Sequence, residues 1–506
     1  MIQPESSYDA ALQFLLGRID YERVLTMPYS GRDFKLDRMR ELLRRLGNPQ
    51  DRLPILHVAG TKGKGSTAAM LAAVLTAAGY RVGMFSSPHF DRIEERFAIG
   101  GQPCSADELV ERVEEIRPAV DAMDREAAGT GEIGPTYFEI TTALALLHFV
   151  RRKVDAAVLE VGLGGRLDST NVCTPRVCII TSISFDHTEQ LGNTLGAIAR
   201  EKAGIVKPGV PVVSGVEAPE AREVIAEVCR RQGAPLIELG VDFTFDYQPP
   251  QDLQQSDSSA RLGFRRLKPA FPSLGAEPPG AWVNPDAETS GTTHPTSCRH
   301  RFAPRNGRAL KAHRGTPAMA ELVDLELSLS GRHQAANAAL ALAALAELGR
   351  AGWRIDEGAI GRGFGSLRWP GRVEVVRRRP AVVLDVAHNV ASIEALLATL
   401  DESFSVRRRH LIFAVSKDKD ARGMLALLLT RFDTIALTRY LNNPRSVPPE
   451  QLAEIAYQIS GRHHPMFSNA AEAWAAVEPL ASPDDLICAT GSFFIVAEMR
   501  RLFVGE

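Results

Sequence analysis

The sequence predicts an α/β protein of two unequal parts: a larger doubly wound domain with a mostly parallel sheet, and a smaller C-terminal α/β domain. Three observations carry this. Short β-branched apolar runs, ILHVA at 55–59, DAAVLEV at 155–161 and RVCIITS at 176–182, alternate with helical stretches, as strands buried on both faces of a parallel sheet do. At 506 residues the chain exceeds what one hydrophobic core usually serves. The alternation is broken at WPGR, 369–372, and then resumes.

Residues 8–47 carry helical periodicity interrupted by MPYSGRD at 27–33, a loop expected near the mouth of a site. ILHVA reads as a buried strand, followed by a glycine-rich loop and an alanine-rich helix that stops at Gly79. RVGMFSSPHF is a strand running into a polar turn. DELVERVEEIRPAVDAM is an amphipathic helix and TYFEITTALALLHFVRR a more buried one. VPVVSG adds a strand. Residues 249–317, rich in Pro, Gly, Ser and Arg, read as a disordered insertion, because so little apolar surface cannot offset the entropy of ordering. MAELVDLELSLSG reads as a strand pair, and RHQAANAALALAALAELG as a long helix. Beyond the break, PAVVLDVAHN, RRHLIFAVS, FDTIALTR and DLICATGS are strand-like, with helical SIEALLATL and EQLAEIAYQI between them. The expected organisation is a domain over 1–366, a hinge at 367–371 and a second domain over 372–506.

The loop from Gly60 to Ser66 has the chemistry of a triphosphate cradle. Gly60, Gly63 and Gly65 let backbone N–H groups approach phosphate oxygens, and the helix that follows presents its positive end. Lys64 would reach the β- and γ-phosphates, and Ser66 or Thr67 would offer a hydroxyl to phosphate or metal. Thr61 and Lys62 complete the loop. The spacing departs from GxxxxGK[ST], since Gly65 separates lysine from serine. ATP is the expected ligand.

Composition narrows the partners. A formal charge of −2 gives no global attraction to nucleic acid or an anionic membrane. The six cysteines are scattered without a CxxC pair, which argues against a zinc site or a disulfide scaffold and for a reducing compartment. The first residues lack the basic start and apolar core of a signal peptide, and no uncharged apolar run reaches membrane-spanning length. A cytoplasmic monomer acting on small molecules is expected.

In order along the chain, GTKGKGST, SSPHF, TYFEITTALAL, LEVGLGGRLDSTN, TSISFDHTEQLG, IAREKAGIVKPG, GRHQAANA, WPGRVE, LDVAHN, SKDKD and ATGSFF resemble the dihydrofolate synthase/folylpolyglutamate synthase family of the Mur ligase superfamily. The resemblance implies a Mur-ligase-like P-loop domain and a Rossmann-like C-terminal domain. It also implies an ATP-dependent ligase in which a substrate carboxylate takes the γ-phosphate and the acyl phosphate is captured by the amine of L-glutamate, the acceptor being dihydropteroate, a reduced folate, or both. Two magnesium ions are implied, Ser87 and Glu160 resembling ligands of the first and His187 of the second. Lys202 stands where the family carries a carbamylated lysine, the alternative being an unmodified cation near the phosphates. Lys64, Lys202 and His187 are thus the expected catalytic residues.

By the same resemblance Thr136, Tyr137, Phe138, Glu139, Asp168 and Ser169 would line the pteroate pocket, with Leu36, Asp37 and Arg38 matching loosely. Asn337, Arg372 and Asp385 match positions that hold ATP, and His388 lines the same cleft. Three departures stand out: Lys62 replaces a usual Asn, Val390 replaces a common Pro, and the insertion is not a family feature. Two other readings are a Mur-type ligase acting on a cell-wall precursor, disfavoured by the order of SSPH, LEVGLGGRLD and TSISFDH, and a nucleotide-binding regulatory protein, which would not need Lys64, Ser87, Glu160, His187 and Lys202 intact.

Overall fold

The computed structural model of the chain describes residues 6–20, 36–267, 322–441 and 443–503. The first part runs through α1 (Ser7–Leu16), α2 (Leu36–Arg45), β1 (Ile55–Ala59), α3 (Lys64–Ala77), β2 (Val82–Phe85), β3 (Phe97–Ile99), α4 (Ala106–Thr130), α5 (Tyr137–Arg151) and β4 (Ala156–Glu160). It continues with β5 (Val177–Ile180), α6 (Thr188–Leu191), α7 (Leu195–Lys202), β6 (Val212–Ser214), α8 (Pro219–Gln232) and β7 (Leu236–Glu238). These seven strands form one sheet in the order β3-β2-β4-β1-β5-β6-β7, parallel except for β3. All five residues of β1 are buried because helices cover both faces. Leu56 and Val58 pack toward α3, whereas Ile55 packs toward α1, α2, α4 and α5.

A second sheet, antiparallel, holds β8 (Phe243–Gln248), β9 (Ala260–Arg266) and β10 (Leu322–Leu327), with β9 in the centre. It corrects two expectations. MAELVDLELSLSG contributes a single strand, β10, whose partner is β9. The stretch expected to be a disordered insertion begins as ordered chain: Ala260, Leu262 and Phe264 alternate inward along β9 and join the core under α9 (Arg332–Arg350) and α10 (Glu357–Ser366). Three apolar residues at period two were enough to recruit a strand that average composition hid. Residues 268–317 of that stretch, and the MPYSGRD loop, lie outside the described residues.

The third sheet comprises β11 (Glu374–Arg378), β12 (Ala381–Leu384), β13 (Arg409–Phe413), β14 (Thr434–Leu437) and β15 (Leu486–Thr490), ordered β11-β12-β15-β13-β14 and parallel except for β11. Helices α11 (Val390–Ser403), α12 (Ala421–Leu428), α13 (Pro449–Ser460), α14 (Ala470–Val477) and α15 (Phe493–Arg501) cover its faces. The loop between β8 and β9 reaches across to this part. Leu253, 8% exposed, sits in its core, and the Leu253 N–H donates to Ser403 O at 2.8 Å. Gln254 donates to Pro483 O at 2.9 Å, and Arg378 holds the Leu253 and Ser256 carbonyls and pairs with Asp257. Among the described residues no helix is long and apolar enough to cross a membrane.

Candidate active site

The carboxyl ends of β1, β4 and β5 open onto a cleft of about 2130 Å³ whose other wall is the corresponding end of the C-terminal sheet. That position is where open α/β sheets take ligands, and the volume exceeds what a single small ligand fills.

The loop after β1 is shaped by close approach. Gly60 has φ +148°, and a Cβ there would fall 1.8 Å from Thr181 Oγ1. Gly63, the N-cap of α3, has φ +80°, and a Cβ would meet Asn337 Oδ1 at 2.2 Å. Any side chain at either position would collide with these neighbours. Thr61 and Lys62 N–H groups donate to Ser182 O and Oγ at 2.8 and 3.0 Å, tying the loop to the segment after β5. No side chain caps α3, so its first N–H groups face the cleft beside Lys64 and the buried Ser66. The Thr67 side chain does not line the cleft.

Glu160 ends β4 and is 6% exposed. Its carboxylate accepts a single long hydrogen bond, 3.4 Å from the Ser87 N–H, among the described residues. Burial raises its pKa, opposed by Lys64 and Arg372. Lys202, at the end of α7, is buried and donates from Nζ to Gly60 O at 2.9 Å. Burial, and next the Lys64 charge, lower its pKa to about 7.

His187 stands at φ +49° before α6. Burial and then Lys419 bring its pKa to about 3, so the ring is neutral. Beside it is an ion cluster that joins the two parts. Lys419 Nζ lies 2.7 Å from Asp186 Oδ1, 3.5 Å from His187 Nε2 and 3.5 Å from Asp418, and Asp418 pairs with Arg445 at 2.5 Å. Burial pushes Asp186 upward, but Lys419, His187 and His388 outweigh it and hold the carboxyl well below the usual range. Sequence reasoning assigned none of Asp186, Lys419, Asp418 and Arg445, although the first three stand in the quoted runs FDHTEQLG and SKDKD; alternating charge in SKDKD was the available signal.

From the C-terminal side, Asp385 accepts from the Val373 and Ala387 N–H groups at 2.8 Å each, so both its oxygens brace backbone. Burial depresses the pKa of Arg372, with Asp385 and Glu160 opposing. His388 Nδ1 bonds Val386 O at 2.8 Å, and burial holds its pKa near 4. Asn337, 7% exposed, donates to Gln334 at 3.1 Å while its oxygen faces Gly63.

The expected pteroate wall is only partly a wall. Thr136, Phe138, Glu139, Asp168 and Ser169 line the cleft, as do Leu36 and Arg38. Tyr137 instead faces the core, 1% exposed with Arg96 over its ring, because it lies one helical step from the cleft-facing residues. Asp37 is exposed and pairs with Arg40. Glu139 caps α5 through Thr136 and takes a buried ion pair from Arg38 at 2.8 Å. Asp168 accepts the Gly162 and Leu163 N–H groups, both at 3.0 Å, and so clasps the glycine turn. Among the described residues no group of three or more His, Cys, Asp or Glu side chains is placed to hold a metal.

Residues 58–260 match the Mur ligase middle domain, and residues 371–493 the Mur ligase, glutamate ligase domain. The chain is 33% identical over 469 residues to the dihydrofolate synthase/folylpolyglutamate synthase of Bacillus subtilis, spanning 92% of this chain and 94% of that protein. To the protein of the same name from Mycobacterium tuberculosis it is 35% identical over 434 residues, 85% of this chain and 79% of the other. Among solved structures, Mycobacterium tuberculosis folylpolyglutamate synthase complexed with ADP and AMPPCP superposes with a TM-score of 0.80 at 29% identity, covering 99% of both chains. E. coli FolC in complex with DHPP and ADP gives 0.75 at 30% identity, again covering 99% of both.

Proposed function

This chain belongs to the dihydrofolate synthase/folylpolyglutamate synthase family of Mur ligases, ATP-dependent enzymes that form amide bonds, and on that premise we propose that it joins L-glutamate to dihydropteroate and to folylpolyglutamates. The observation that carries the proposal is the convergence on one cleft of the phosphate loop, Lys64 and Glu160 from one sheet and Arg372 and His388 from the other. The substrate carboxylate attacks the γ-phosphorus of ATP; ADP leaves, and the glutamate amine displaces phosphate from the acyl phosphate. Two anions must meet for the first step, so cations around them lower the barrier. Lys64 and Arg372, which both line the cleft, would supply those cations, and Asn337 backs the loop at Gly63. Closure of the two parts over the hinge at 367–371, with 1–366 and 372–506 as the moving units except that the loop at 253–257 is anchored to the second, excludes water from the acyl phosphate.

Magnesium is tested by the donors present. Glu160 is a buried carboxylate with one long hydrogen bond beside Ser87, a hard oxygen site short of a cation, and it fits. Bound there, the ion would neutralise phosphate charge. For a second ion His187 fits only after Lys419 withdraws from Asp186 and His187, which it contacts here. Lys202 suits a carbamate: with its pKa near 7, a large share of the amine is in the neutral form that adds CO2. A 13C signal from labelled bicarbonate, absent from Lys202→Met, tests this.

The buried free thiols Cys104, Cys173, Cys178, Cys229 and Cys488 suit the cytoplasm, where the enzyme would act as a monomer. Glutamate-dependent ADP release, measured with dihydropteroate and separately with tetrahydrofolate, tests the proposal. Turnover with both supports the bifunctional reading; turnover with one narrows it to that substrate; turnover with neither, despite ATP binding, overturns it.

A further inference from the structure

A buried chain of polar groups ties β1 to the turn after Glu160. His57, in the middle of β1, is fully buried, and its Nε2 lies 2.8 Å from Thr170 Oγ1. Thr170 Oγ1 is 2.5 Å from Asp168 Oδ1, which also accepts the Thr170 N–H at 3.0 Å. Asp168 Oδ2 takes the Gly162 and Leu163 N–H groups. Four donors converge on this carboxylate, so the threonine hydroxyl gives its proton to Asp168. Its oxygen must then receive one, which places the imidazole proton on Nε2 and leaves Nδ1 bare toward Cys173 Sγ, 3.9 Å away.

The same turn is fastened to the helix end that carries Lys202. Asn171 donates to Arg166 O and Gly204 O, both at 3.0 Å, and the Arg166 N–H donates to Glu201 O at 2.8 Å. A Cβ on Gly165 would fall 2.9 Å from the Glu201 and Lys202 carbonyls, so turn and helix end meet backbone to backbone. Lys202 returns to Gly60, three residues beyond His57. The contacts close a circuit from β1 through the turn to Lys202 and back.

We propose that His57 is a positioning residue for the ligation: through Thr170 and Asp168 it fixes the glycine turn at 162–165 and so sets Glu160 and Lys202 relative to the phosphate loop. The inference rests on the ligase reading for its kinetics, but not for its structural consequence. A neutral donor at Nε2 is what the circuit needs, and burial keeps the imidazole neutral, with a pKa near 3.

The test compares His57→Leu, which keeps bulk and deletes the donor, with His57→Gln, which keeps an N–H near the Nε2 position. His57→Leu is expected to lower kcat at least tenfold, to leave the KM for ATP within threefold, and to speed amide exchange at Gly162 and Leu163; His57→Gln should recover most of both effects. If His57→Leu melts earlier while kcat and exchange at the turn stay at wild-type values, the network is core packing and the proposal fails. Should His57→Leu not fold, Thr170→Val breaks the same chain with little change of shape, and unaltered kcat and exchange there overturn the proposal equally. If wild-type protein shows no glutamate-dependent ADP release, the ligase reading has failed, and the exchange at Gly162 and Leu163 alone decides this one.

Discussion

The two sheets face each other across the cleft with edges prepared in opposite ways. On the N-terminal edge Lys64 makes no hydrogen bond or ion pair among the described residues, Glu160 accepts one long bond, and α3 has no side-chain cap. On the C-terminal edge charge is already matched within the protein: Asp385 braces two backbone N–H groups, Arg445 holds Asp418, and Lys419 reaches over to Asp186. Buried groups lacking partners are costly, so the first edge is destabilised until a ligand supplies them, and the second is stable without one. Charged side chains near one cleft therefore divide into those kept for substrate and those that hold the walls together.

The sharpest way to break this contrast is Lys64→Ala. Loss of a preorganised cation at the reacting phosphate should reduce glutamate-dependent ADP release about 10²- to 10³-fold. Thermal stability should change little, because Lys64 repels Lys202 but offsets the burial of the Glu160 carboxylate, and the two effects oppose each other. A large fall in Tm would show that Lys64 is structural after all.

Lys419→Ala should behave in the reverse sense. Lys419 and Asp186 side chains are 10% and 9% exposed, and removing one partner of a buried pair costs about 3 kcal/mol. Denaturant titration at neutral pH reads that loss. Asp186 has a folded pKa below its unfolded value, so its contribution is complete above the unfolded pKa and fades as pH falls through the acid range. The stability difference between wild type and Lys419→Ala should accordingly be constant above about pH 4, the ordinary carboxylate range, and narrow progressively below it as pH falls toward the depressed pKa of Asp186. A difference independent of pH would remove Asp186 from the explanation.

Legibility divided along the same line. Lys64, Glu160 and Lys202 stand at the ends of helices or a strand, in short contiguous runs, so local sequence displays both the element and the chemistry. The family's motif order then implied roles that spacing alone could not. Asp186 and Lys419 are 233 residues apart in the chain, and only the packing of two domains makes them neighbours. Tyr137 was misread because TYFE names four consecutive residues while a helix turns one of them inward. Leu253 and β9 were misread because composition averaged over 249–317 concealed an ordered start. What escaped was in each case a property of tertiary contact.

A gentler probe of the contrast lies beside the cleft, where Glu402 lines it. Tyr247, on β8, donates to Glu402 of α11 at 2.9 Å and accepts the Gly331 N–H at 2.9 Å. It belongs to the wall-holding class, although it stands on the N-terminal side. Tyr247→Phe deletes both hydrogen bonds and leaves the ring, so about 1 kcal/mol of stability should be lost. Turnover at saturating substrate should stay within about threefold, since Glu402 is exposed and water can replace the hydroxyl. The Gly331 N–H adjoins α9, which carries Asn337, so the KM for ATP is the kinetic constant most open to change. If kcat falls tenfold with stability intact, wall and substrate groups are not separable, and the division between the two edges gives way to a single coupled network.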